Sequence, residues 1–535
     1  MTLPPLDIDG NGLRLEALVQ VARQGRRVHL SPWARREMVR SRAWVDAAVR
    51  GELIDASGQP RVIYGVNTGY GSLSRVRIPQ DRLNALSRNL LRSHAAGVGA
   101  PVAPDAARAT VLLRANALSK GFSGCRPELV ELLLALLNRG VVPVLPAQGS
   151  CGSSGDLAPL SHLGLLIGHA PDDPDHETGE AWVGGQRMCG RAAMAAVGLQ
   201  PLVLGPKEGL AINNGAQLTT AITALTAHDA AQLTLVAEIA AAMSIEALHG
   251  VTRAFHPLVH AMRPYGGAIA CAANLLSLLH GSTLVDSVPG KVQDAYSLRC
   301  TPQVLGAVRD AVGFVVRQVS VELNAVTDNP LILPDAPGDD KAFSAGMFHG
   351  EPVGMAADFL KIATAELASL SERRLYRLLT GALSDRLPPS LDDGPGIGLL
   401  ALQTTAAALV SENKALSWPA SVDSIPTCED QEDHVAMSTT AARRAADVLE
   451  NTRYVVGIEL LCATRALAWR QADDPGLTLG RGTGAAFHLL DEALRALPHE
   501  ATPAEQLAAI EPLVQGPALA SAVRAVCPRL REVSL

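Results

Sequence analysis

The chain has 535 residues, 48% hydrophobic, 3% aromatic and 19% charged, with a formal net charge of −7. This apolar fraction over this length can bury a deep core without disulfide or metal staples, and it excludes a largely disordered chain. A mildly acidic balance without basic runs excludes the electrostatic footprint of a nucleic-acid binder.

The first eleven residues carry Asp7 and Asp9 and lack the basic and apolar regions of a signal peptide. Eight cysteines are scattered without a CxxC pair, and the fourteen histidines show no metal-ligand spacing. A cytoplasmic protein with reduced thiols and no metal site is expected. Residues 1–60 read as short polar and helical pieces. Residues 61–98 are rich in Gly, Asn, Ser and Tyr and predict loops leading into a helix. A helix is predicted over 113–137, a short strand over 141–144, and a helix over 156–168. Residues 171–190 read as a linker with a hairpin at Gly184-Gly185.

Beyond Lys207 the pattern changes to long helices, predicted at 216–249, 306–326, 353–380, 398–416 and 439–470. In the second of these, Val308, Val312, Val315, Val319 and Leu323 form one apolar stripe, and the helix is expected to stop before Asn329-Pro330. Apolar stretches such as 129–137 and 233–243 are too short, or carry a charge, for a membrane span. The expected fold is mainly α: a mixed N-terminal region, 1–206, and a bundle of long helices, 207–535.

The most unusual local sequence is Gly149-Ser150-Cys151-Gly152-Ser153-Ser154-Gly155-Asp156-Leu157-Ala158-Pro159-Leu160. One reading is a turn that caps a helix, with Asp156 at the cap and Pro159 in the first turn. A phosphate loop is a weaker reading, because no Gly-Lys-Ser/Thr follows. A third uses the backbone itself. If the loop is bent, the Gly155 nitrogen can attack the Ser153 carbonyl, since glycine presents its nitrogen without side-chain obstruction. Loss of water closes a five-membered ring, and loss of the Ser154 hydroxyl leaves an exocyclic methylidene. The product is an electrophile facing a helix N-terminus.

This segment resembles the aromatic amino acid lyases that use 4-methylideneimidazole-5-one (MIO), most closely the histidine ammonia-lyases. Other motifs follow in the same order: Tyr64-Gly65-Val66-Asn67-Thr68-Gly69-Tyr70-Gly71, similar to the family's tyrosine loop; Ser93-His94-Ala95-Ala96-Gly97; Lys207 to Gly215; Gln293-Asp294-Ala295-Tyr296-Ser297-Leu298-Arg299; Thr327-Asp328-Asn329-Pro330; Phe348-His349-Gly350; and Gln431-Glu432-Asp433-His434-Val435. The resemblance spans residues 14–480. The chain departs from the family pattern at Ser153, where alanine is usual, at Asn213, usually apolar, at Ala295, usually proline, and at Trp418, often histidine.

The resemblance implies elimination of ammonia from an α-amino acid, through MIO formed from Ser153-Ser154-Gly155 and without external cofactor. It implies Tyr64 as the base for the β-proton, Arg299 for the substrate carboxylate, and Asn214, Gln293 and Tyr296 as hydrogen-bonding partners of carboxylate or ring. Phe348 is expected beside the ring, with His94 and Glu432 at the substrate side chain. A carboxylate at Glu432 suits an imidazole N–H better than a phenyl ring, which points to L-histidine and trans-urocanate. The alternatives are a tyrosine or phenylalanine ammonia-lyase, a 2,3-aminomutase, or a catalytically silent helical homologue. The resemblance also implies a homotetramer whose sites draw residues from three subunits, with an amino acid as ligand and no nucleic-acid or membrane partner. Because free tyrosine titrates near pH ~10, a Tyr64 base predicts activity rising toward alkaline pH. A pH–rate profile peaking below neutrality would exclude Tyr64 from that role.

Overall fold

The computed structural model describes residues 3–70, 76–170, 172–392, 398–498 and 500–535. Gly71 of the tyrosine loop, Pro171 of the linker and the first two residues lie outside the described residues. Helices dominate, and strands occur only as pairs or a triplet among the described residues. The chain is therefore mainly α.

Two compact units are discontinuous in sequence: Met1–Leu225 with Arg317–Asp358 and Pro419–Arg443, and Thr226–Val316 with Phe359–Trp418 and Arg444–Leu535. The division expected from sequence, 1–206 and 207–535, is consecutive. The structural boundaries at 225/226, 316/317, 358/359 and 443/444 instead fall inside helices.

In the first unit, strand β1 (Leu6–Ile8) pairs in parallel with β2 (Val28–Leu30). Helix Pro32–Val49 starts where the Ser31 hydroxyl accepts the Ala34 N–H at 3.1 Å. The helix predicted over 113–137 is two helices, Pro104–Ser119 and Pro127–Asn138. Gly121 breaks them apart: at φ +79° its Cα lies so close to helix Pro32–Val49 that a Cβ would meet Glu37 backbone at 2.7 Å. Pro127 then opens the second helix, where its missing N–H costs nothing. The hairpin lies where expected, with Glu180–Val183 paired to Gln186–Cys189 across Gly184-Gly185. The helix predicted over 306–326 runs from Thr301 to Glu322. It stops early because Asn324 turns its side chain to the Leu13 N–H and carbonyl, both at 2.9 Å.

The second unit is a bundle of long helices tied by buried charge. Arg374 donates to Glu459 at 2.5 and 2.8 Å, and Ser244 and Ser371 complete that carboxylate. Glu238 is held likewise by Arg309 at 2.8 Å and Asn274 at 2.6 Å. Helix Gln217–Ala247 is long and apolar enough to cross a membrane by length and composition, unlike the short stretch read from sequence, but 94% of its most apolar window is buried in protein.

Candidate active site

Three segments of the first unit converge on the Gly/Ser loop. The loop leads into helix Leu157–Ile167. Beside it, helix Glu208–Asn213 ends at Asn214, and Gly155 and Gly215 bridge in parallel. The third segment is a tight turn closed by the bridge between Thr427 and Glu432. Cys428, Glu429 and Asp430 all take positive φ there, so the chain reverses sharply and returns Glu432 onto the loop.

Asp156 is the keystone below the loop, and not in the way a cap reading suggests. It makes no capping bond to its own helix. Its carboxylate instead accepts the Thr219 N–H at 2.8 Å, the Thr219 hydroxyl at 3.0 Å, the Ser150 hydroxyl at 2.8 Å and the Thr439 hydroxyl at 2.7 Å. Thr219 lies in the first turn of helix Gln217–Ala247, so Asp156 satisfies an open N–H at the start of a different helix. Burial pushes its carboxyl above the usual range, against these donors. Nothing local in the sequence announces this cluster, since Thr219 and Thr439 look like ordinary helix threonines.

Above the loop is a cavity of about 630 Å³. Of the sequence-predicted residues, Tyr64, His94, Ser153, Ser154, Asn214, Phe348 and Glu432 line it, and Gly155, the third member of the tripeptide, does not. Gln293, Tyr296 and Arg299 do not line it. They belong to the second unit, where Tyr296 is 72% exposed and the Arg299 guanidinium stacks on its ring at 4.8 Å.

Glu432 is bound to the tripeptide itself. Ser153 Oγ donates to Glu432 Oε2 at 2.9 Å, Ser154 Oγ donates to Glu432 Oε1, and Thr427 Oγ1 donates to Oε2 at 2.7 Å. Burial alone would raise the Glu432 carboxyl. The hydroxyl donors, with Cys428, outweigh it and hold the group below its ordinary value, so Glu432 is a carboxylate at neutral and alkaline pH.

Two tyrosines face the cavity. Tyr70, which sequence reading left without a role, is pushed far above its ordinary value by burial, with the nearby Tyr64 adding to the shift. Tyr70 thus stays a phenol beside Tyr64. The turn carrying Tyr64 is firmly held: Asn67 accepts the Ile63 N–H at 2.7 Å and donates to the Arg61 carbonyl at 2.8 Å. His94 Nδ1 lies 2.9 Å from both the Leu90 carbonyl oxygen and Ser93 Oγ; since the carbonyl can only accept, Nδ1 carries a proton.

The loop fits the ring expected from Ser153-Ser154-Gly155. Gly155 sits at φ +74°, and a Cβ there would meet the C, O and N of Gly215 at 2.3–2.5 Å, so only glycine occupies this cradle. Asn214 Nδ2 donates to the Ser154 carbonyl at 3.0 Å, while its buried Oδ1 has no hydrogen-bond partner among the described residues. Asn214 is itself steadied by buried Arg114, whose Nη1 donates to the Asn214 carbonyl at 2.6 Å and to Gln217 Oε1 at 2.9 Å. Asn213, which departs from the family pattern, is fully buried and donates to Ser161 Oγ at 3.1 Å.

Comparison with known proteins agrees across nearly the whole chain. The family model for aromatic amino acid lyases matches residues 13–492. A histidine ammonia-lyase of Gloeobacter violaceus is 45% identical over 529 residues, covering 98% of each chain. Among solved structures, the histidine ammonia-lyase of Trypanosoma cruzi superposes with a TM-score of 0.87 at 34% identity, covering 98% of this chain and 96% of that one. A tyrosine aminomutase of Streptomyces globisporus gives 0.88 at 33% identity, covering 98% and 100%.

Proposed function

Because the chain belongs to the aromatic amino acid lyase family, we propose that it is an ammonia-lyase converting L-histidine to trans-urocanate and ammonia. The reading also takes Ser153-Ser154-Gly155 as the source of MIO. The similarity of the fold to a histidine lyase and a tyrosine aminomutase is nearly equal, so the fold leaves the substrate open. The observation that carries the choice is the Glu432 carboxylate on the cavity wall beside the tripeptide. A carboxylate accepts an imidazole N–H and gains nothing from a phenyl ring.

In this reading the ring supplies an electrophile for the substrate. The chain's own groups do the rest. Tyr64, as phenolate, removes the β-proton, and Tyr70 remains protonated next to it. Asn214 orients the tripeptide carbonyl through its amide. Glu432 and His94 bind the imidazole, and Phe348 supplies an apolar wall. Arg299 matches a carboxylate with its guanidinium fork. Since Gln293, Tyr296 and Arg299 line no part of the cavity, they would complete the site from a neighbouring copy in a homotetramer. The exposure of Val292 at 88% and Tyr296 at 72% supports that reading. A cytoplasmic location goes with it.

The test is ultraviolet monitoring of the purified protein at mildly alkaline pH with L-histidine, L-tyrosine and L-phenylalanine in parallel. Urocanate from L-histidine alone is the expected result. Coumarate, cinnamate or a β-amino acid instead would overturn the substrate assignment. Glu432→Gln is expected to raise KM for L-histidine by about tenfold or more, because a charge-assisted hydrogen bond is lost. An unchanged KM would remove Glu432 from substrate binding.

A further inference from the structure

We infer that Ser153 is a positioning residue for substrate selection: its hydroxyl fixes one oxygen of Glu432, so that the other faces the substrate imidazole. The inference rests on the function proposed above. It concerns a hydroxyl that an alanine at this position would lack.

The two carboxylate oxygens of Glu432 are shared unequally. Oε2 accepts from Ser153 at 2.9 Å and from Thr427 at 2.7 Å, whereas the hydroxyl contact to Oε1 comes from Ser154. Ring formation treats the two serines differently. A bond forms from the Gly155 nitrogen to the Ser153 carbonyl carbon, whose oxygen leaves as water with the two amide hydrogens of Ser154 and Gly155. The Ser154 hydroxyl then leaves with the Ser154 α-hydrogen as a second water, creating the Cα=Cβ double bond. The Ser153 side chain takes no part in either step.

Dehydration therefore removes the donor on Oε1 and keeps the donors on Oε2. Thr427 alone would hold Glu432 from one side only, leaving a terminal torsion that is intrinsically broad and roughly two-fold less well fixed. With Oε2 held from two sides, by the loop through Ser153 and by its own turn through Thr427, the carboxylate plane is set before substrate arrives. The freed Oε1 is then an acceptor without a competing serine, placed on the wall of the cavity. Pre-ordering of this kind lowers the cost of binding, because the carboxylate need not be immobilised when the substrate enters. Ser153 is 7% exposed, so water competes weakly for its hydroxyl.

The experiment separates binding from turnover. Ser154→Ala removes the hydroxyl whose loss creates the methylidene, so no electrophile forms and L-histidine binding can be titrated calorimetrically without reaction. Adding Ser153→Ala is expected to weaken that binding by about tenfold, and Ser153→Thr in the same background is expected to restore it. L-Phenylalanine, which offers Glu432 no N–H, should bind the two proteins alike. In the ring-forming protein, Ser153→Ala should still show an intact mass lowered by two waters, with the loss appearing in KM more than in kcat. Equal L-histidine affinity with and without the Ser153 hydroxyl, or a loss shared equally by L-phenylalanine, overturns the inference while the proposed function stands. Turnover by the unaltered protein of L-tyrosine or L-phenylalanine alone overturns both.

Discussion

Gly155→Ala is expected to abolish turnover, by at least about 10³-fold, and to leave the intact mass without the loss of two waters. The cause is steric. At φ +74° an L side chain is disfavoured, and its Cβ would meet three backbone atoms of Gly215 at 2.3–2.5 Å. Backbone cannot swing aside as a flexible side chain can, so the bridge between Gly155 and Gly215 must open. Asn214, next to Gly215, then loses its register on the Ser154 carbonyl. Ser154→Ala is the informative contrast. It should also abolish activity, because no methylidene can form, but with the thermal midpoint nearly unchanged, whereas Gly155→Ala lowers it as well. Near-normal turnover in Gly155→Ala protein would show that the loop relaxes without cost and that the cradle has no bearing on the ring.

Asp328→Ala is expected to cost about 3–5 kcal/mol of stability, because it leaves a buried ammonium without its carboxylate. Lys207 and Asp328 are both fully buried, and Lys207 Nζ lies 2.8 Å from Asp328 Oδ2. Lys207 also takes a left-handed φ of +71° at the head of helix Glu208–Asn213, which delivers Asn214 to the tripeptide. Asp328 precedes Asn329, another wall residue of the cavity. The pair therefore joins two walls of the site, and its loss should reduce activity together with stability. Denaturant unfolding checks the prediction. A shift below about 1 kcal/mol, the level of an exposed pair, would contradict it. Lys207→Met combined with Asp328→Leu should recover part of the stability, since Lys207 no longer stands as a lone buried charge while buried Arg114 still loses a neighbouring carboxylate.

Several features were legible residue by residue. The stripe Val308, Val312, Val315, Val319 marked a real helix face, and Gly184-Gly185 marked a real hairpin, because side-chain periodicity and turn chemistry act within a few residues. The tripeptide stood out by composition, and the ordered motifs around it identified the family. Other features were not legible. The break at Gly121 depends on how closely helix Pro32–Val49 approaches, and the early end at Glu322 depends on Asn324 reaching Leu13 across 311 positions. Asp156 read as a cap on its own helix, yet its bonds run to Thr219 and Thr439, which are 63 and 283 positions away.

By itself, then, the sequence determined the kind of most elements though not their breaks and ends, the family, and the chemistry available at Ser153, Ser154 and Gly155. All of these follow from short-range conformational preference or from the identity of contiguous residues. Only the tertiary structure decided which of those residues meet. It set Glu432 against two serines 278 and 279 positions away, buried Lys207 against Asp328, kept Tyr70 a phenol beside Tyr64, and left Gln293, Tyr296 and Arg299 outside the cavity. The physical reason is range. A polar side chain gains little from a partner in water, and it selects one strongly only after folding has removed the solvent that would have satisfied it.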